Sequence, residues 1–224
     1  RAGKIRKLEG FGEKSEQDIL RGIELMKASR ERMLLGYALP IAEEIEKRLK
    51  SLKEVDKAVV CGSIRRRKET IGDVDILIIS KKPKPVMDYF TSMPDVRNVL
   101  GKGATKSTVV LKSGLQVDLR VVEPGSLGAA MQYFTGNIDH NVKLRGIAIR
   151  KGLKLSEYGV FSKKTGKSIA GKTEDEVYKV LGLKAMPPEL RENRGEIELA
   201  MKGSIPEIIP YGSVKGEFHV HTTA

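Results

Sequence analysis

A chain of 224 residues, 40% of them apolar, is long enough to bury at least one proper core and should fold unaided. Its 41 Lys and Arg outnumber its 29 Asp and Glu to give a net charge of +12, which suits a polyanionic partner; a basic protein without such a partner is the alternative. The single cysteine, Cys61, excludes an internal disulfide, and no stretch is apolar enough to span a bilayer or to form a signal core, so a cytoplasmic protein with no membrane contact is expected.

In chain order, Arg1 to about Lys50 reads as helical, interrupted at Gly10-Phe11-Gly12 and carrying the apolar stripe Leu39, Ile41, Ala42, Ile45 and Leu49 with Pro40 inside it. Ala58-Val59-Val60-Cys61 reads as a buried strand ending in a turn at Gly62-Ser63, and Asp73 to Ser80 as a second strand. Val109 to Leu111 and Leu115 to Val122 flank Lys112-Ser113-Gly114 and predict a β-hairpin. A helical pattern follows from Leu127 to Arg150, then short strands between Leu153 and Ser162. Thr173 and Glu176 have the spacing of a capping box, so a helix should start there. Pro187-Pro188 breaks the chain, and Ile205 to Pro210 reads as a linker. Both ends read as cut, because the chain opens without Met and stops just after Gly216-Glu217-Phe218-His219-Val220-His221.

The chemistry resides in carboxylates. Strand side chains alternate faces, so Asp73 and Asp75 project to one side while Val74, Ile76 and Ile78 pack on the other. Asp118 lies between Gln116 and Arg120 on the polar side of its own strand, and if the two strands are neighbours the three acids converge. Such a trio repels itself and needs a cation; hard oxygen ligands favour Mg²⁺ held jointly with substrate phosphates. Asp-x-Asp alone reads first as a solvated strand face, but Gly62-Ser63 at a strand end offers backbone and hydroxyl donors to a phosphate, and Arg66 adds a charge-assisted contact.

Gly62-Ser63-x-Arg65-Arg66, Gly72-Asp73-x-Asp75 and Asp118 resemble the palm signature of family X DNA polymerases, within the wider nucleotidyltransferase superfamily. The resemblance implies that Asp73 and Asp75 bind two Mg²⁺ ions (Mn²⁺ being the alternative). It implies too that Asp118 binds the catalytic one and helps to activate a primer hydroxyl. Arg32, Gly62, Ser63, Arg66 and Gly72 would then surround the triphosphate. Arg67 stands where vertebrate members have glycine.

Tyr133-Phe134-Thr135-Gly136 places two adjacent aromatics before a break, so one of them needs a role outside a core; two core aromatics at a helix end is the other reading. The block resembles the family's nucleotide-binding segment, which implies that Tyr133 and Phe134 exclude ribonucleotides and that Asn141 meets a base edge. Arg145 would touch the template strand, with Arg120 as a further DNA contact. Ile138 replaces an acidic residue of the vertebrate members.

Gly10, Gly12 and Lys14 resemble a helix-hairpin-helix that grips DNA backbone, in this family often with a monovalent cation; a plain turn between helices is the other reading. His219 and His221 resemble the first motif of a PHP phosphoesterase domain, with too few ligands here for nuclease activity. The expected fold is α+β. It comprises helix-hairpin-helix fingers over 1–31, a nucleotidyltransferase-type palm with a mixed β-sheet over 32–124, a small α/β thumb over 125–204, and a linker with the PHP-like stub over 205–224. The expected activity is monomeric, two-metal addition of deoxynucleotides from their triphosphates to a primer 3′ end in gapped DNA; another nucleotidyltransferase and a non-catalytic DNA-binding scaffold are the alternatives.

Overall fold

The structure, a computed structural model, describes residues 32–210 and 212–216, with the isolated positions 6, 12, 13, 16, 17 and 19. Gly10 and Lys14 of the expected hairpin, and His219 and His221, lie outside the described residues; Gly12 is exposed. Among the described residues no helix is long and apolar enough to cross a membrane.

Two layers form around one sheet. Helix α1 (Leu35–Lys50) buries Ala38, Ala42, Ile45 and Leu49, a stripe at helical spacing. The strands β2 (Lys57–Val60), β4 (Asp73–Ile79), β5 (Val96–Lys102), β6 (Lys106–Leu111) and β7 (Gln116–Val121) make a five-stranded sheet in the order β2-β4-β7-β6-β5. Its central pair, β4 and β7, is parallel and the other pairs are antiparallel, so the sheet is mixed as expected.

Alternation along β4 decides what each face does. Val74, Ile76 and Ile78 are fully buried with α1 and with Val86 and Phe90 of helix α3 (Pro83–Thr91). Each such side chain contributes roughly 1.5–3 kcal/mol on burial. Asp73, Asp75 and Leu77 occupy the opposite face, where Leu77 packs with Cys61 and with Ala130 of helix α4 (Leu127–Thr135). The face that carries the acids is therefore capped by the helix that carries Tyr133 and Phe134.

A second core lies beyond α4. It is built by α5 (Ile138–Arg150), α6 (Glu174–Val180), α7 (Glu196–Met201) and a three-stranded antiparallel sheet of β8 (Leu153–Ser156), β9 (Gly159–Ser162) and β10 (Ser168–Ala170). The predicted capping box is present at Thr173 and Glu176, satisfying two backbone N–H donors at the start of α6. Gly128 lets α4 pass against this unit, since a Cβ there would lie 2.1 Å from the Thr173 carbonyl carbon.

Three expectations need correction. Met33–Leu34 is a short strand, β1, paired with β3 (Thr70–Ile71), where a continuous helical pattern was expected; cross-chain pairing overrides the local pattern. The helical stretch from Leu127 to Arg150 is two helices, because Gly136 ends α4 and the Asn137 side chain accepts from the His140 N–H to start α5. The turn expected at Gly62-Ser63 is one turn of helix, α2 (Gly62–Arg65).

Candidate active site

The register of β4 on β7 sets Asp75 directly beside Asp118, and Asp73 beside Gln116. Partners in adjacent parallel strands lie about 4.8 Å apart and point to the same face. The condition attached to the sequence reading, that the two strands be neighbours, is met. Asp118 is further tied by its neighbours: Thr108 Oγ1 donates to its Oδ1, Gln116 Nε2 donates to its Oδ2 at 3.3 Å, and Lys106 Nζ lies 3.7 Å away.

The cluster is electrostatically under-compensated. Burial, then the charges of Asp73 and Asp118, push Asp75 up to about 7, against the pull of Arg120 and Lys106. Asp73, more exposed than Asp75, is likewise raised by partial desolvation and by Asp118, with Arg32 opposing. Among the described residues no three His, Cys, Asp or Glu side chains form a ready-made metal cage. A divalent ion bound here would therefore need further ligands from water or substrate phosphates. The donor set is all hard oxygen, and the raised acids are those a divalent cation would relieve.

Gly62 adjoins this cluster. Its φ of 69° lies in the left-handed region, and a Cβ would sit 2.9 Å from Asp75 Oδ2, so both backbone and space demand glycine. Beside it opens a cleft of about 590 Å³, lined by Asp73 and Asp75 on one side and by Tyr133, Phe134, Gly136, Asn141 and Arg145 on the other. Arg32, Gly62, Ser63 and Arg66 line it too. Arg32 is braced by Thr70, donating from Nε to the hydroxyl at 2.8 Å and from Nη2 to the carbonyl at 2.5 Å. Gly72 makes room for it, as a Cβ there would lie 3.2 Å from Arg32 Nη1.

Tyr133 and Phe134 both reach the cleft, in edge-to-face contact with ring centroids 5.1 Å apart. Asn141 lines it while bonded inward: Nδ2 donates to the Tyr133 carbonyl at 2.7 Å, and Oδ1 accepts from Gln132 Nε2 at 2.6 Å. Thr135 is placed differently from the nucleotide contact expected of it. It is fully buried, and its hydroxyl accepts from Arg65 Nη1 at 2.7 Å, so it ties the two units together behind the cleft. Arg120 stacks 4.7 Å over the Phe134 ring, beside a smaller cavity it shares with Lys106 and Tyr158.

Sequence reasoning missed the seam that holds the cleft in shape. Glu174 receives Arg65 through two hydrogen bonds of 2.9 and 2.5 Å and Arg191 at 2.5 Å. Burial opposes its ionisation, but these guanidiniums outweigh it and hold Glu174 below the usual range. Glu192 similarly receives Arg66 Nε at 2.8 Å and Asn137 Nδ2 at 3.1 Å. Arg65 and Glu174 stand 109 positions apart, so no local pattern announces the pair. Only the capping box placed Glu174 at a helix start.

Fold and site together define a nucleotidyltransferase-type palm carrying three strand-borne carboxylates, joined to a small α/β unit that supplies the aromatic side of the cleft. Residues 38–122 match the DNA polymerase beta palm family and residues 130–192 the DNA polymerase beta thumb family. The chain is 38% identical over 222 residues to the DNA polymerase/3'-5' exonuclease PolX of Bacillus subtilis (strain 168), covering 98% of this chain and 39% of that protein. It is 26% identical over 182 residues to the Repair DNA polymerase X of African swine fever virus (isolate Pig/Kenya/KEN-50/1950), covering 77% of this chain and 98% of the viral one. Among solved structures, Leishmania infantum polymerase beta in its ternary gap complex superposes with a TM-score of 0.68 at 21% identity, over 84% of this chain and 78% of that one. The chain thus spans about two fifths of its Bacillus relative. It belongs to the family X DNA polymerases.

Proposed function

We propose that this chain is the catalytic core of a repair DNA polymerase that extends a primer 3′ end with deoxynucleotides across short gaps. The observation that carries the reading is Asp118 standing beside Asp75 in register on a parallel strand, with Asp73 on the same face. Asp73 and Asp75 would hold two divalent ions, Mg²⁺ by the hardness of their donors, and Asp118 would share the one nearer the primer. Bound there, the ions supply Lewis-acid stabilisation of the charge that develops on the transferring phosphoryl group.

The chain's own residues do the rest. Ser63 and the backbone at Gly62 cradle the outer phosphates, and Arg66 and Arg32 add charge-assisted contacts. Asp118, oriented by Thr108 and Gln116, accepts the proton of the attacking hydroxyl. Tyr133 and Phe134 fill the space beside the sugar and exclude a 2′-hydroxyl by contact. Arg145 faces the template strand, and Asn141 fixes the carbonyl of Tyr133 and so the wall of the pocket. Residues 32–124 act as palm and 125–204 as thumb, and the basic surface supplies most of the DNA affinity.

Primer extension on one-nucleotide gapped duplex, with deoxy- and ribonucleoside triphosphates offered separately, tests the reading. Template-directed incorporation with a preference of about tenfold or more for deoxynucleotides is expected, the size of a typical steric discrimination. Untemplated addition, or a preference for ribonucleotides, would remove the polymerase reading in favour of another nucleotidyltransferase.

A further inference from the structure

A second, more highly charged cleft of about 500 Å³ adjoins the catalytic one, and Arg32 and Arg66 line both. Five basic and three acidic side chains line it, so it is net positive at neutral pH. Arg66 is tied on two sides. Its Nε donates to Glu192 at 2.8 Å, while its Nη1 donates to the Thr135 carbonyl, which anchors it to α4. Lys68 Nζ lies 3.6 Å from Glu192, on the oxygen that also accepts from Asn137. Burial opposes ionisation of Glu192, yet the hydrogen bond and charge of Arg66, with Lys68 behind, hold it anionic. A single carboxylate thus occupies cations that a phosphate would otherwise take.

We propose that this rear cleft receives the leaving inorganic pyrophosphate, and that Glu192 is the built-in competing anion that keeps the site weak enough to let it go. The inference rests on the polymerase reading above. In nucleotidyl transfer the bond from the 3′ oxygen to the α-phosphorus forms as the bond from that phosphorus to the bridging oxygen breaks. The hydroxyl proton passes to Asp118, and the electron pair of the broken bond leaves on pyrophosphate. In-line geometry sends that group away from the nucleophile, towards Arg66 and Arg32, and these two residues form the wall shared with the rear cleft. A multiply charged anion crossing that wall meets Lys68 and Arg194, and its phosphates displace or are repelled by Glu192.

Arg194 lines the rear cleft and not the catalytic one, which separates the two sites experimentally. Primer extension inhibited by inorganic pyrophosphate yields the ratio of the pyrophosphate inhibition constant to the deoxynucleotide KM, for the unaltered chain and for Arg194→Glu and Glu192→Gln. The ratio should rise about fivefold or more in Arg194→Glu and fall by a similar factor in Glu192→Gln, a modest change because Arg194 is solvent-exposed. A ratio that stays put in either variant overturns the proposal. So does a parallel shift of both constants, which would assign the cleft to the triphosphate tail. A variant that changes the KM for gapped DNA at constant ratio would assign the cleft to DNA and overturns the proposal equally. Calorimetric titration of inorganic pyrophosphate with Mg²⁺ into the three proteins, without primer, should rank them in the same order. If the unaltered chain extends no primer, the polymerase reading falls, and the titration alone then decides whether the cleft binds pyrophosphate.

Discussion

Asp75 and Glu174 are both largely buried carboxylates, yet their environments drive them in opposite directions. Asp75 faces two further acids and is pushed up to about 7; Glu174 lies between the guanidiniums of Arg65 and Arg191 and is pulled down. Burial disfavours charge at both positions, so the partners decide the outcome. The seam at Glu174 is an electrostatic arrangement already complete within the protein. The acids at Asp75 are left without a matching set of cations, so a bound divalent ion would relieve them, whereas Glu174 needs none.

The largest effect separating the two regions should come from Asp118→Ala. Single-turnover extension should fall by about a thousandfold or more, as for removal of a central group in transition-state stabilisation, while DNA binding followed by fluorescence anisotropy stays nearly unchanged. Retained extension would show that the acids do not act as one unit. Next is Glu174→Gln, which leaves Arg65 and the almost fully buried Arg191 without their anion. Denaturant unfolding should reveal a loss of about 3–5 kcal/mol, the usual cost of breaking one side of a buried pair. A neutral result would place the seam among surface pairs.

Asp75→Asn should act in the opposite sense. The folded chain holds the Asp75 proton up to about pH 7 and the unfolded chain releases it near 4, so the folded state binds more protons in that window. Stability therefore falls as pH rises from about 4 to about 7, and the loss is complete above that range. With divalent ions chelated, the variant should be more stable than the parent at pH 8, on the order of 2–4 kcal/mol, and equal to it at pH 4. Thermal unfolding at the two pH values reads the difference. Equal stability at pH 8 would mean that the acids do not strain the empty site.

Much of the site was legible because β4 alternates strictly, Asp73 and Asp75 against Val74, Ile76 and Ile78, and one face of the pattern had to be buried. The hairpin at Lys112 to Gly114 and the capping box at Thr173 were equally local and equally readable. The stretch between Ser80 and Val109 offered no such signal. There α3 opens with two prolines, and β5 is an edge strand that is mostly exposed beyond Asn98 and interrupted by register shifts, so neither helical nor strand periodicity survives. Met33–Leu34 becomes a strand only because Thr70–Ile71 arrives beside it. The burial of Thr135 against Arg65 was equally hidden, because the two residues meet only through the fold. Glu174, Arg191 and Glu192 gain meaning only when distant segments meet.

Carbon-13 NMR titration of the Asp75 carboxyl group, in the parent chain with and without Mg²⁺ and in Asp118→Asn, tests most directly whether three acids form a single cation-demanding unit. A midpoint near 7 in the metal-free parent, lowered both by Mg²⁺ and by Asp118→Asn, is the predicted result. A midpoint near an ordinary aspartate in all three conditions, or one indifferent to both changes, would contradict it.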